Sequence, residues 1–347
     1  MYLQIDGNYG EGGGQILRTT LSLSCLLGKP VEIFNIRKGR KIPGLQPQHL
    51  TSVNACKSIS EAQVEGNKLQ SLSLKFSPKK IKGGDFTFNV AEEKRSAGST
   101  SLILQALFLP LSLAEQSSHI TVLGGTHVPW SPPFDYLKEI FLPTVKNIGC
   151  QIDLRINKWG WYPKGGGEVH CMIHPGEKLT SVNLIERGKL LSLTGISVVS
   201  NLPTSIAERQ KNQALKILKE KNFSPEIKIL EAPSIGQSTF FFLKAEFENS
   251  VAGFGALGEI GKRAEKVAEE ACQEFLEFMQ TKAGIDPHLA DQLIPYLALA
   301  DGQSSFTVSR ISKHLLTNIR VVRQFLPTKI TVEGDEEKEG KVIINPH

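Results

Sequence analysis

A glycine-rich segment near the N-terminus has the residue types and spacing for binding an anion. Residues 10–18, GEGGGQILR, place three adjacent glycines before a predicted helix, so backbone N–H groups and a helix N-terminus can face phosphate. Glu11 would repel phosphate unless a divalent cation lay between them, whereas Arg18, two turns on, would attract it. A tight loop without a ligand is the alternative. A P-loop is excluded, because G-x-x-x-x-G-K-[ST] does not occur in the chain.

A second segment, RKGRKIPGLQPQH at 37–49, concentrates positive charge in a loop. Four cations occupy five positions and a Pro-Gly pair follows. Such a loop repels itself unless an anion neutralises it, and nucleic-acid phosphate or a triphosphate would do so. A solvated basic turn is the alternative, and His49 by itself is typical of a helix start.

Two histidines in the C-terminal third are candidate nucleophiles. His288, Asp291 and Gln292 share one face of a predicted helix, and His314 lies where the polar segment SRISK gives way to the apolar LL. Neutral imidazole can attack phosphorus with one nitrogen while a neighbour holds the other. The spacing does not distinguish the two histidines, and a structural role stays open for each.

The glycine pattern GFGALG at 253–258 fits the dinucleotide fingerprint G-x-G-x-x-G. We expect it to follow a strand and open a helix. A dinucleotide site also needs a second parallel strand that ends in an acidic residue. The pattern here continues as helix, so no nicotinamide site is predicted.

The alternation of extended and helical patterns predicts the elements that must position these residues. The first 185 residues favour two successive β-α-β-α-β-β-like units, which is typical of α/β layers. Residues 186–276 change character and predict a smaller inserted α/β domain. Residues 1–185 and 277–347 would then form one large domain. The chain is expected to close with a β-hairpin around the acidic turn 334–340.

Bulk composition sets further limits. The 347 residues are 40% hydrophobic and 22% charged, and the net charge of +5 permits a polyanionic partner without requiring one. Five scattered cysteines without a C-x-x-C pair favour reduced thiols in the cytoplasm. The most apolar stretch, 102–113, is interrupted by Gln105 and Pro110 and is too short to span a bilayer. We therefore expect no membrane partner.

Taken in order, the motifs resemble those of the RNA 3'-terminal phosphate cyclase family. The resemblance runs through nearly the whole chain. It rests on GEGGGQILR at 10–18, RKGRKIPGLQPQH at 37–49, SAGST at 96–100, GGTHVPWSPP at 124–133, WYPKGGG at 161–167, HLADQL at 288–293 and HLLTN at 314–318.

This resemblance implies a fold and an activity. The implied fold is a large domain of three repeated β-α-β-α-β-β units, interrupted by a small inserted α/β domain. The implied activity is ATP-dependent conversion of an RNA 3'-terminal phosphate to a 2',3'-cyclic phosphate. It proceeds through a covalent histidinyl-AMP intermediate and requires a divalent cation, Mg²⁺ or Mn²⁺.

The resemblance also assigns roles to residues of this chain. His314 matches the family nucleophile and Glu11 the metal ligand. The residues that match the phosphate and RNA-end pocket are Arg18, Arg37, Arg40, Gln48 and His49. Those that match the nucleotide side are Gln105, Pro132, His288, Asp291 and Gln292. Some relatives carry tyrosine in place of His288; if this position stacks on adenine, imidazole offers a smaller face.

Three alternatives accompany this hypothesis. A non-catalytic relative used in ribosome assembly would share the fold but lack the nucleophile. An enolpyruvyl transferase would use phosphoenolpyruvate and form no AMP adduct. The same site would also suit 5'- or 2'-phosphate ends, and the sequence leaves the oligomeric state open.

Overall fold

The first of three similar four-stranded sheets is formed by the N-terminal part of the chain. The computed structural model describes residues 1–91 and 97–346. Its first unit consists of β1 (Leu3–Asp6), α1 (Gly14–Leu27), β2 (Val31–Phe34), α2 (Pro47–Ser60), β3 (Gln63–Glu65) and β4 (Leu74–Ser77). The strand order is β1-β2-β4-β3, with β1 and β2 parallel and the other pairs antiparallel.

The second unit repeats this arrangement. It consists of β5 (Asp85–Asn89), α3 (Thr100–Ser112), β6 (Ser118–Gly124), α4 (Phe134–Tyr136), a π-helical turn (Leu137–Phe141), α5 (Leu142–Ile148), β7 (Gln151–Lys158) and β8 (Gly167–His174). The strand order β5-β6-β8-β7 matches that of the first sheet, again with one parallel pair.

A different sheet then interrupts the third unit, after its first short strand. The elements are β9 (Asn183–Leu184), followed by β10 (Leu190–Ser200), α6 (Thr204–Glu220), β11 (Glu226–Glu231), β12 (Ser238–Phe247), β13 (Val251–Leu257) and α7 (Ala264–Gln280). Strands β10 to β13 form their own sheet in the order β11-β10-β12-β13. Helices α6 and α7 pack on this sheet around a separate apolar core that includes Phe241, Phe254 and Phe275.

The third unit is completed by the C-terminal segment. It adds α8 (Pro287–Leu297), β14 (Ser304–Val308), α9 (Lys313–Phe325), β15 (Lys329–Glu333) and β16 (Gly340–Asn345). The sheet order is β15-β16-β14-β9, and β9 pairs in parallel with β14 although about 120 residues separate them. The element order β-α-β-α-β-β therefore occurs three times in the described chain.

Helices from all three units meet in the interior. Helix α1 packs on α3 and α9, and α8 packs on α9. Helix α3 is buried along almost its whole length, which explains its nearly continuous apolar sequence. The first turns of α1, α8 and α9 all contribute to one shared cleft, through Gln15, His288 and His314 respectively.

The α/β fold class is confirmed, as is the hairpin of β15 and β16. The expectation for GFGALG was wrong, because residues 253–257 belong to strand β13. Their alternating burial, with Phe254 and Ala256 inside, and their pairing with β12 fix this conformation. The following helix, α7, begins at Ala264, beyond the end of the motif at Gly258. The short strands β3 and β9 were missed. The boundaries 186 and 276 of the inserted domain stay a prediction.

No helix within residues 1–91 and 97–346 is long and apolar enough to cross a membrane.

Candidate active site

One cleft brings together all twelve side chains that the sequence assigned to the site. Its volume of about 660 Å³ is within the usual range for small-molecule sites, roughly 300–1,000 Å³. The predicted residues that line it are Glu11, Arg18, Arg37, Arg40, Gln48, His49, Gln105, Pro132, His288, Asp291, Gln292 and His314. They come from the first, second and third units. Of the motif SAGST, Ser96 lies outside the described residues.

The glycine-rich loop is shaped so that other side chains can approach it closely. Gly10 and Gly12 have φ of 57° and 61°, in the left-handed region that favours glycine. A Cβ added at Gly14 would lie 2.5 Å from His49 Nε2 and 2.9 Å from Arg18 Nη1. The loop also touches α9, where Thr317 Oγ1 accepts a hydrogen bond from the Glu11 backbone N–H at 3.3 Å. The glycines therefore let the first helix, the basic segment and α9 converge.

His314 lies in the first turn of α9, whose N-cap Ser312 accepts a hydrogen bond from the Leu315 N–H at 3.1 Å. His314 Nδ1 is 2.9 Å from Gln15 Oε1. An amide oxygen only accepts hydrogen bonds, so this contact places the imidazole proton on Nδ1. Nε2 then keeps its lone pair. The His314 side chain is 52% exposed, and Nε2 lies 3.9 Å from Glu11 Oε1.

A chain of hydrogen bonds supports Gln15 from behind. Gln15 Nε2 donates to Asp291 Oδ2 at 2.5 Å. The Asp291 backbone carbonyl accepts from Asn318 Nδ2 at 2.6 Å, and Asn318 Oδ1 accepts from Thr19 Oγ1 at 2.6 Å. Asp291 therefore lies behind the histidine as well as on the cleft wall, which its prediction as a nucleotide-side residue did not anticipate.

The electrostatics of this cluster favour a neutral imidazole. Desolvation, followed by the charges of Arg18, His288 and Arg40, lowers the pKa of His314 below its usual 6.5. Burial lowers the pKa of Arg18 to about 10, against the opposing effect of Asp291. Burial raises the pKa of Asp291 to about 7, although Arg18 opposes the change. At neutral pH the histidine is thus available as a nucleophile beside a guanidinium.

Glu11 is the one predicted metal ligand, and its surroundings suit a loosely held cation. Its Oε1 is paired with Arg40, whose Nη2 also donates to the Glu11 carbonyl at 2.7 Å. Its Oε2 is buried and has no hydrogen-bond partner in the described residues. No group of three or more His, Cys, Asp or Glu in that part of the chain could hold a metal alone. Mg²⁺ and Mn²⁺ readily take one carboxylate together with water and phosphate oxygens, so a single free oxygen fits.

The predicted nucleotide side is a linked set of amides beside His288. Gln105 Nε2 donates to Gln292 Oε1 at 2.6 Å, and Gln292 Nε2 donates to the His288 carbonyl at 2.7 Å. The ring of Tyr136 meets that of His288 edge-on at 6.2 Å. Pro132 lines the cleft from the segment between β6 and α4.

The predicted RNA-end side is held mainly by its own backbone. Arg37 Nη1 donates to the carbonyls of Ile42 and Gly44 at 2.8 and 2.9 Å. His49 Nδ1 accepts from the Gln46 backbone N–H at 3.0 Å. Desolvation and the charges of Arg37 and Arg18 lower the pKa of His49 well below 6.5. Arg37 therefore shapes the basic loop, and His49 is an N-terminal residue of α2 whose Nε2 faces Gly14.

Several cleft residues were not predicted. Gln15 is three positions before Arg18, on the same face of α1, and this spacing could have indicated it. The inserted domain supplies a further wall, with Phe242, Gly253 and Gly255 from its sheet and Glu274 from α7. Desolvation raises the pKa of Glu274, with the charge of His288 opposing. No motif in the sequence pointed to these insert residues.

The fold and the cleft define an α/β protein in which an accessible imidazole of lowered pKa lies among arginines. The sequence pattern of one family, RNA 3'-terminal phosphate cyclase, matches residues 9–332. The chain belongs to this family.

Individual relatives agree over nearly the full length. A Nostoc punctiforme protein named RNA 3'-terminal phosphate cyclase is 43% identical over 338 residues, covering 96% of this chain and 97% of that protein. A Gloeothece citriformis protein of the same name is 44% identical, covering 93% of each chain. One from Staphylothermus marinus is 40% identical, covering 99% of this chain and 98% of that protein.

Proposed function

We propose that the protein converts an RNA 3'-terminal phosphate to a 2',3'-cyclic phosphate with ATP as co-substrate. The reaction passes through AMP bound covalently to His314 and releases pyrophosphate and AMP. The observation that carries the proposal is the state of His314: its Nδ1 is held by Gln15, and its Nε2 is open to the cleft between Glu11 and the arginines.

In the first step, His314 Nε2 attacks the α-phosphorus of ATP, the N–P bond forms and the bond to pyrophosphate breaks. The imidazole gains positive charge as this bond forms. Gln15 keeps the Nδ1 proton in place, and the Glu11 carboxylate, with Oε1 at 3.9 Å from Nε2, favours that charge. Arg18 and Arg40 would stabilise the negative charge on the phosphates.

Glu11 would hold the divalent cation, Mg²⁺ or Mn²⁺, through Oε2. When bound, the cation would neutralise negative charge on the phosphate oxygens. Arg40 now pairs with Oε1 of the same carboxylate. This leaves Oε2 as the free cation ligand.

In the second and third steps, AMP moves to the RNA end and leaves again. An oxygen of the RNA 3'-phosphate attacks the phosphorus on His314, and the N–P bond breaks. The neighbouring 2'-hydroxyl then attacks the 3'-phosphorus and gives its proton to water. The ring closes as the phosphoanhydride bond to AMP breaks and AMP leaves. Ring closure needs chiefly positioning, because the hydroxyl is already adjacent. Arg37, Arg40, Gln48 and His49 would hold the 3'-phosphate.

The nucleotide would lie against Gln105, Pro132, His288, Asp291 and Gln292. A cytoplasmic location belongs to the same proposal. All five cysteines are free thiols buried in the fold, which suits a reducing compartment.

The test is incubation with α-labelled ATP and Mg²⁺ or Mn²⁺, followed by denaturing gel and mapping of the acid-labile label. Label is expected on His314 and absent in His314→Asn, which should still bind RNA. His119→Asn is the matched control, because His119 is an exposed histidine on β6, and it should label normally. Normal labelling of His314→Asn would refute the nucleophile. No labelling of the native protein with either cation would favour the non-catalytic ribosome-assembly alternative.

A further inference from the structure

Trp130 has an unusual position at the rim of the cleft. It lines the cleft, yet 94% of its surface is exposed. The chain has three tryptophans, and the other two, Trp159 and Trp161, are buried, with 5% and 1% exposed. A large aromatic ring that contacts almost no protein contributes little to the core, so its position calls for another explanation.

The backbone holds this ring outward at a conformational cost. Trp130 has a φ of 60°, a left-handed conformation that glycine or asparagine adopts far more readily than a bulky residue. It is the second residue of a turn with Pro129, and Pro132 and Pro133 follow soon after. Strained residues of this kind concentrate at ligand sites.

Hydrogen bonds and a ring contact hold the base of the loop, so the Trp130 ring extends from a fixed position. The Thr126 backbone N–H donates to the Gly160 carbonyl at 2.8 Å. His127 is buried, its Nε2 is 2.7 Å from Asp135 Oδ2, and its ring stacks on Trp159 at 4.1 Å. Ser131 Oγ closes the turn by donating to the Val128 carbonyl at 3.0 Å. The tryptophan is therefore presented from a fixed frame.

We propose that Trp130 stacks on a base of the RNA strand just upstream of the terminal nucleotide, where the strand leaves the cleft. The inference rests on the proposed function. A mononucleotide such as ATP can end within the cleft, against half-buried Gln105, Pro132 and Gln292. An RNA strand cannot end within the cleft, because the part upstream of its terminal nucleotide must pass over the rim. Stacking on an exposed indole suits any base, as an enzyme that reads the end of an RNA requires.

The structure offers a direct optical test in the native protein. Because the other two tryptophans are buried, Trp130 should dominate the solvent-exposed part of the emission. Titration with a short oligoribonucleotide that ends in a 3'-phosphate is expected to quench this emission. ATP alone, or a nucleoside 3'-monophosphate, should leave it nearly unchanged. Quenching by ATP but not by the oligonucleotide would assign the ring to the nucleotide instead.

Two substitutions separate stacking from folding. Trp130→Gly removes the ring and suits the positive φ, so the variant should fold with a melting temperature no lower than that of the native protein. Its KM for the oligonucleotide is expected to rise about tenfold, the loss expected for one base stack. Its KM for a nucleoside 3'-monophosphate and its self-adenylation by ATP should be unchanged. Trp130→Phe keeps an aromatic face and should restore most of the oligonucleotide affinity.

The outcomes are distinguishable from failure of the proposed function. If the native protein is not adenylated, the enzymatic proposal fails whatever Trp130 does. If it is adenylated and Trp130→Gly uses the oligonucleotide as well as the native protein does, the stacking proposal is overturned. An equal loss with the nucleoside 3'-monophosphate would also overturn it, because the ring would then act on the terminal nucleotide.

Discussion

Replacing Gln15 by glutamate tests whether the partner of His314 Nδ1 controls the nucleophile. The change preserves the length of the side chain but puts a carboxylate where the amide oxygen now lies, 2.9 Å from Nδ1. A carboxylate stabilises the imidazolium, so it raises the pKa of His314. Protonated His314 cannot attack phosphorus, and adenylation at neutral pH should slow.

The size of the shift follows from the geometry. An opposite charge within about 4–6 Å typically moves a pKa by roughly 1–3 units. The His314 side chain is 52% exposed, and solvent screening favours the lower end of that range. We expect a rise of about one unit, equivalent to about 1.4 kcal/mol. The introduced group would also face Asp291, whose pKa of about 7 would rise further.

The assay is single-turnover self-adenylation with labelled ATP across pH. In the native protein the pKa of His314 is below 6.5, so the rate should fall only on the acid side of that value. For Gln15→Glu the acid limb should move up by about one pH unit, and the rate should recover in mild alkali. Gln15→Met is the matched control: it removes both hydrogen bonds without adding charge. This variant should lower the adenylation rate about tenfold without moving the acid limb to higher pH. Superimposable profiles for the glutamate variant and the native protein would refute the reasoning.

Three further predictions concern the cation, pH and the inserted domain. Glu11→Gln keeps the shape but removes the charge, and half-maximal adenylation should need about tenfold more Mn²⁺; an unchanged titration would exclude Glu11 as ligand. Burial lowers the pKa of His127 in the folded protein, so the unfolded protein binds a proton at this histidine more readily. As the pH falls below about 6.5, the free energy of unfolding should therefore decrease. Urea unfolding should show this decrease, and the stability of the His127→Gln variant should depend less on pH. Arg187 donates to the carbonyls of Thr281 and Ala283 and covers the Phe278 ring. Arg187→Ala should lower the free energy of unfolding in urea by about 2 kcal/mol, and Arg187→Lys should lower it by less. Equal stabilities of the native protein and both variants would show that these contacts do not stabilise the fold.

The elements with a strong local signal could be predicted from the sequence. Helix α1 follows a glycine run and carries apolar residues on most faces, and β6 and β8 alternate regularly between buried and exposed. By contrast β9 has two residues, too few to show the alternation of apolar and polar side chains that marks a strand. Its partner β14 follows in the sequence only after the inserted segment. Gly253, Gly255 and Gly258 fit a helix-start pattern, but Gly253 and Gly255 belong to β13 and lie close to Phe242 of the neighbouring strand β12. The sequence carries no local signal for this contact between strands.

Which residues line the cleft could be predicted from the sequence, but not the hydrogen bonds that connect them. The cleft contains every side chain that the family resemblance selected, and all of these except Gln105 lie within one of the quoted motifs. The link from His314 through Gln15 to Asp291 is a different case. Its first hydrogen bond joins positions 299 apart and its second joins positions 276 apart. No local pattern encodes such a contact, since it exists only once three helices have packed together.

The way the cleft draws on all three repeated units has a consequence during protein synthesis. A ribosome releases the glycine loop and the basic segment early and α9 near the end, so Arg18, Arg37 and Arg40 emerge long before His314. Until α9 docks, Arg18 and Asp291 stay solvated and keep their ordinary proton affinities, because the burial that perturbs them comes from packing between units. A nascent or truncated chain should therefore hold the phosphate-binding charges without any nucleophile. On the proposed mechanism an unfinished molecule would not consume nucleotide, and the chemistry would begin only when the third unit is complete.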